Sequence, residues 1–265
     1  MADIETLVVP GGLLKYSDRS EDRSRSENTA NQEIPRTIHQ IFLPFKEGAT
    51  VDDYPVFVRN IAKTREFCET HKIKHEMWGE EETNRLIHQL GPQFVKIYYS
   101  ERFTQQKILR VDFVRYCILY MYGGIYVDSD VHPIRSLTRL FKMPYFFVTW
   151  ADDKEQKPYN AVIGTFKRNP IYMTILKESY RSFYEKIQIP AYQKWRGRFV
   201  FQTTGHHMLK RALKDVKTKN ILNDIVVING KRRPKLIGDP TTALFEDANA
   251  SVWMPRRIRD RRKKT

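Results

Sequence analysis

Near the middle of this 265-residue chain, the stretch RVDFVRYCILYMYGGIYVDSDV (Arg110 to Val131) closes on Asp128-Ser129-Asp130. The residues just ahead of Asp128 (Ile125, Tyr126 and Val127) are apolar or aromatic and read as a strand buried on both faces. Unpaired carboxylates inside such a strand would be very costly. At its carboxyl end they are tolerated, because open α/β sheets hold their ligands there. Two apart on an extended strand, Asp128 and Asp130 point to the same side. Two hard oxygen donors so placed suit Mg²⁺ or Mn²⁺, ions that share such sites with water and a diphosphate. Acid-x-acid by itself also fits a surface turn, and Glu80-Glu81-Glu82 is better read as a solvated helical face. Asp112 and Arg115 stand three apart in the preceding helical run. Taken alone, they make an i,i+3 ion pair worth roughly 0.2–0.5 kcal/mol.

The surrounding elements must bring these residues together. IPRTIHQIFL, from Ile34, is rich in strand formers, with Pro35 where a strand can begin. VFVRNIAKTREFCETH reads as an imperfect amphipathic helix, IKHEMW as a strand, and EEETNRLIHQL as a helix stopped by Gly91-Pro92. A short helix follows over Gln93 to Tyr99. A longer one is expected from about Thr104 to Tyr122, with Ile108, Val111, Val114, Ile118 and Met121 on one stripe. Gly123 sits where a helix C-terminus wants positive φ. Strands are expected at IYVDSD, YFFVTW, NAVIGTFK and IVVIN, and helices after Asn169-Pro170 and over TGHHMLKRALKDV, with Thr203 or Thr204 near the cap. Strands alternating with helices at this spacing argue a layered α/β domain. The expected division is an N-terminal arm at 1–33, a folded domain at 34–255 and a basic tail at 256–265.

A formal charge of +15 favours polyanionic partners: nucleic acid, anionic membrane or phosphorylated substrates. The basic runs KRRPK and PRRIRDRRKKT are either solvated surface or a contact with an anionic lipid or polymer. The 2 cysteines, Cys68 and Cys117, form no CxxC, and neither a zinc site nor a disulfide framework is expected. The start MADIETLVVPGG has an acidic lead and too short an apolar run for a signal peptide. Tyr116 to Val127 is far below the ~20 apolar residues that span a bilayer. A soluble, cytoplasmic protein is therefore expected.

The whole block, R-x-D-x-x-R-Y-x-x-L-x-x-x-GG-I-Y-x-D-x-D-V, resembles a known sugar-binding DxD region. That region belongs to the glycosyltransferases of the initiating α-1,6-mannosyltransferase, inositol-phosphoceramide mannosyltransferase and α-1,4-galactosyltransferase type. It is also distantly similar to the glucosylating bacterial cytotoxins. IPRTIHQIF resembles the family's opening IPKIIHQIW, NAVIGTFKRNP its later strand, and TTGHHML its TGP segment, with His206 in place of proline. The resemblance implies a GT-A nucleotide-diphospho-sugar fold, with a mixed, mainly parallel sheet flanked by helices. It also implies a retaining, Mn²⁺- or Mg²⁺-dependent transfer of a hexose from a nucleotide sugar, with UDP favoured over GDP-mannose.

Carried over residue by residue, the resemblance has Asp128 touch the donor ribose or sugar and Asp130 ligate the cation. Asp112 and Arg115 hold the sugar hydroxyls and the phosphate side, Tyr126 flanks the diphosphate, and Gln40, Ile41 and Phe42 form the loop around the base. Phe42 stands where tryptophan is usual. NASVW resembles the toxin segment that closes over metal and diphosphate, which enlists Asn249 and Ser251 toward the metal and Ser251 and Trp253 toward the diphosphate. The mannosyltransferase branch carries a histidine before a Ser-Trp pair, which this chain lacks. Asn160 is either a donor-sugar contact or a turn asparagine. The acceptor implied is a glycan, lipid or protein hydroxyl; the lack of a signal anchor departs from the family's Golgi members and points to a cytosolic enzyme, as in viral or bacterial glycosylation systems. Two rival readings are a nucleic-acid-binding protein, for which no module is recognisable, and a metal-dependent phosphohydrolase, which needs more His and Asp clusters.

Overall fold

The computed structural model describes residues 32–150, 158–194, 196–218, 227–230, 236–237 and 243–248. The N-terminal arm through residue 31, the KRRPK run and the basic tail lie outside them. A central sheet begins with β1 (Thr37–Ile41), which runs parallel to β2 (Lys74–Trp78) on one side and to β3 (Gly124–Val127) on the other. β3 pairs antiparallel with β6 (Pro158–Thr165), β6 antiparallel with β5 (Tyr145–Trp150), and β5 parallel with β7 (Val227–Gly230). The resulting order, β2-β1-β3-β6-β5-β7, is the mixed, mainly parallel sheet expected from the sequence. A second sheet, β4 (Val131–Pro133), β9 (Phe245–Asp247) and β8 (Leu236–Ile237), is antiparallel. It starts directly after Asp130.

The helices are α1 (Pro55–Thr70), α2 (Glu80–Leu90), α3 (Pro92–Tyr98), α4 (Glu101–Gln105), α5 (Lys107–Tyr122), α6 (Thr138–Phe141), α7 (Pro170–Ile187), α8 (Pro190–Lys194), α9 (Arg196–Thr203) and α10 (His206–Thr218). α5 is buried almost all round, from Leu109 to Tyr120, as a helix apolar on every side must be. It packs on α7 and against β1, β3 and β6. Period-two alternation in β3 divides the core. Tyr126 faces the helical cluster that contains Phe113, Tyr116 and Leu119, whereas Ile125 and Val127 face the cluster with Phe146, Val148 and Val162.

Two local expectations are corrected. The long helix does not begin at Thr104, because Gln106 leaves helical geometry (φ −125, ψ 81) and separates α4 from α5. Arg110 bridges the break: it donates from Nε to the Tyr98 carbonyl at 3.2 Å and from Nη2 to Thr104 Oγ1 at 2.9 Å, with its guanidinium over the Tyr98 ring. A tertiary contact here overrides a local pattern. The acid run is likewise not strand. β3 ends at Val127, and Val131 N–H donates to the Asp128 carbonyl at 2.9 Å, closing a turn over residues 128–131.

Candidate active site

The α5–β3 junction places the site. The Gly123 amide caps α5 by donating to the Leu119 carbonyl at 2.9 Å, and both Gly123 (φ 68) and Gly124 (φ 97) hold positive φ. A β-carbon on Gly124 would lie 2.8 Å from His39 Nε2 and 2.9 Å from the Thr37 carbonyl oxygen, so the close approach of β3 to β1 requires glycine. Tyr126 and Asp128, two apart, both turn toward α5. Arg115 meets them there with its guanidinium over the Tyr126 ring.

Arg115, 2 % exposed, organises two carboxylates. Its Nη2 donates to Asp112 Oδ1, and its Nη1 lies 3.0 Å from Asp128 Oδ1 and donates to the Asn160 carbonyl at 2.6 Å. The Tyr126 hydroxyl donates to Asp128 Oδ1 at 2.8 Å. Asn160 Nδ2 reaches Asp112 Oδ1 at 3.3 Å, and the Thr204 hydroxyl donates to Asp112 Oδ2 at 3.2 Å. The structure thus draws Asp112, Arg115, Tyr126, Asp128 and Asn160 into one cluster. What would be a surface ion pair on an isolated helix is here a buried network linking α5, the end of β3, β6 and the turn between α9 and α10. Burial pushes the Asp112 carboxyl up to about 6, against the pull of Arg115, and neighbouring Asp128 adds to the rise. Burial also raises the Asp128 carboxyl, opposed by Arg115 and the Tyr126 hydroxyl.

Of the remaining positions, Asp130, Gln40 and Ile41 meet at the turn next to this cluster, and Phe42 packs elsewhere. The Asp130 carbonyl accepts from Ala248 N–H at 2.8 Å, and its half-buried side chain stands at the turn. Gln40, 0 % exposed, directs its amide to the backbone of the same turn, and the Ile41 carbonyl accepts from the Ser129 hydroxyl at 2.6 Å. Phe42 packs with Tyr54 and Phe57, rings 5.6 and 6.1 Å away. Asn249, Ser251 and Trp253 lie outside the described residues.

Two residues were given no role by the sequence. Thr204, read near a helix cap and within the TGP-like segment, is a direct partner of Asp112. Asp247, 5 % exposed, pairs opposite Val131 in the β4–β9 ladder and accepts a hydrogen bond from the Tyr159 hydroxyl. Burial raises the Tyr159 phenol well above its ordinary range, and the nearby charges of Asp247, Asp130 and Asp128 reinforce the rise. Nothing local marked Asp247, since its strand is three residues long and far away in sequence.

A divalent cation suits this chemistry: the donors at the turn are carboxylate oxygens. Among the described residues, no three His, Cys, Asp or Glu side chains converge to hold an ion by themselves. An ion here would take one or two carboxylates and complete its shell with water and diphosphate, as Mg²⁺ commonly does.

Residues 56–147, which contain all but the first residue of α1, together with α5, β3 and the acid turn, match the model of the glycosyltransferase sugar-binding region containing a DXD motif. An uncharacterised glycosyltransferase of Acanthamoeba polyphaga mimivirus is 25% identical over 202 residues, 75% of this chain and 72% of the relative. A mannosyl phosphorylinositol ceramide synthase of Saccharomyces cerevisiae is 30% identical over 151 residues, 55% of this chain but 35% of the relative. The chain thus spans most of the viral relative and well under half of the yeast one. The solved PaToxG glycosyltransferase aligns with a TM-score of 0.46 and 13% identity, over 76% of this chain and 75% of that one. Asp112, Arg115, Asp128 and Asp130 all lie within the matched segment, and over that segment the chain is similar to the glycosyltransferases with a DXD-containing sugar-binding region.

Proposed function

We propose that residues 34–255 form a catalytic domain. It transfers a hexose, with a divalent cation and retention of configuration, from a nucleotide-diphosphate sugar to a hydroxyl of a glycan, lipid or protein. The observation that carries this reading is the buried Asp112–Arg115–Asp128 cluster beside the Asp130 turn. Two carboxylates share one guanidinium, which leaves acceptor oxygens for sugar hydroxyls. Thr204 and Asn160 fix the Asp112 oxygens, so a hydroxyl meets a preorganised acceptor. With its carboxyl at about 6, Asp112 is largely ionised at pH 7.5 and accepts rather than donates.

Asp130, with Asn249 and Ser251, would hold the cation, which when bound offsets the charge that develops on the departing diphosphate. Ile41, Phe42, Tyr126 and Trp253 would flank the nucleotide. Held together in one pocket, donor and acceptor meet without a bimolecular entropy cost, and water is excluded. No carboxylate is assigned as a covalent nucleophile. Front-face attack by the acceptor is the reading adopted.

A UDP-sugar is the first donor reading. The mannosyl activity in the yeast relative's name supports GDP-mannose as the second, and the ceramide in that name supports a lipid acceptor. The basic tail would then touch an anionic membrane from the cytoplasmic side. No helix among the described residues is long and apolar enough to cross a membrane. Calorimetric titration of UDP and GDP, with and without Mn²⁺, tests the reading. Mn²⁺-dependent binding of one nucleotide, abolished in Asp130→Ala, is expected. Binding of neither nucleotide with Mn²⁺ would refute it, and preference for GDP would select the second donor.

A further inference from the structure

We infer that Gln40, anchored by His75, is the positioning residue that holds the acid turn against β1. Gln40 is fully buried in a strand whose neighbours Ile38 and Ile41 are core residues, and a buried amide there needs partners. Its Nε2 lies 3.2 Å from the Asp128 carbonyl and 3.3 Å from the Val131 carbonyl, the two ends of the turn. Carbonyls only accept, so the amide nitrogen must face the turn and Oε1 must face away. Oε1 meets His75 Nε2 at 3.0 Å, so that ring nitrogen carries a proton and donates. β2 thereby fixes a side chain of β1, which in turn fixes the backbone of residues 128–131.

The Ser129 hydroxyl, bonded to the Ile41 carbonyl, ties the same turn to the next residue of β1. The consequence reaches the chemistry, because the Asp128 backbone position decides whether its carboxylate meets Arg115 at 3.0 Å. Gln40 therefore serves the site through the turn, and its side chain is already committed before any base could approach. The ligand-dependent half of this inference rests on the proposed sugar-nucleotide reading, whereas the turn-holding half does not.

The test is amide hydrogen exchange of the ligand-free full chain across residues 127–132, with α7 as the internal control. In Gln40→Met, exchange at Val131 should rise about tenfold, in keeping with the loss of one or two buried hydrogen bonds. In His75→Phe it should rise by roughly threefold, and in His75→Gln, which keeps a donor in reach, it should return close to wild type. His75→Phe should add nothing to Gln40→Met, because both act through one amide. Unchanged protection in both Gln40→Met and His75→Phe, or full additivity between them, would overturn the inference. Should Gln40→Met fail to fold, the half-buried His75 pair still decides it. In a second arm, Mn²⁺ titrated with UDP present should bind about tenfold more weakly to Gln40→Met, the same loss read at the ligand. Wild-type protein that took up neither would sink the proposed function and leave the exchange result to judge the turn.

Discussion

Asp112→Asn should stabilise the protein at neutral pH relative to acid while destroying its use of donor. The Asp112 carboxyl stands at about 6 in the folded protein against 3.8 for a free aspartate, chiefly because burial disfavours its charge. Between these values the folded state binds more protons than the unfolded one, so this group makes stability fall as pH rises. At about 1.4 kcal/mol per pH unit, the gap amounts to ~3 kcal/mol, complete above pH 6 and absent below about pH 4. The wild-type curve alone conceals it. His39, buried with Nδ1 accepting from Trp78 and Nε2 donating to the Gly123 carbonyl, is lowered from 6.5 to about 4 and drives stability the opposite way over the same range. Subtraction removes His39. Urea unfolding of wild type and Asp112→Asn at half-unit steps from pH 4 to 7.5 should give a difference that grows by ~3 kcal/mol in favour of the variant. Asparagine suits the site, since its oxygen still accepts from Arg115 and Asn160 and the Thr204 hydroxyl turns to accept from its amide. A flat difference would refute the claim that Asp112 carries a strained charge in the folded state.

Three further outcomes follow from the same geometry. Arg115→Met leaves two carboxylates without their shared cation and should cost ~3–5 kcal/mol of stability by chemical denaturation, with donor binding lost. Gly124→Ala forces a β-carbon against His39 and the Thr37 carbonyl at positive φ, and should cost about 2–4 kcal/mol, read as a lower urea midpoint at unchanged slope. Tyr159→Phe removes the hydroxyl that donates to buried Asp247 and should lower stability by about 1–3 kcal/mol, seen as a drop in Tm.

How far the sequence reached depended on the range of the interaction. Gly123-Gly124, the fully apolar β3 and the stripe on α5 are local patterns, and they located the junction where Arg115 meets Asp128. The family pattern grouped Asp112 with Arg115, because both lie within one turn of a helix. Gln106 broke the long helix for a tertiary reason, the grip of Arg110 on Tyr98 and Thr104, which no local propensity contains. Asp128 and Asp130 were expected on an extended strand. The turn forms because Gln40 and Ser129 supply it with hydrogen bonds to and from a strand that begins more than eighty residues earlier. The roles of Thr204 and Asp247 were illegible for the same cause: each reaches the site through contacts distant in sequence, and β9 is too short for its alternation to register.

The most direct measurement is nucleotide release by purified protein incubated with Mn²⁺ and a panel of UDP- and GDP-sugars, beside Asp128→Asn and Asp130→Asn. Release from one donor, abolished by chelation and lost in both variants, is the predicted result. Release that persists in both variants, or none from any donor by a wild-type protein that is folded, would contradict the assignment of the acid turn as the donor site.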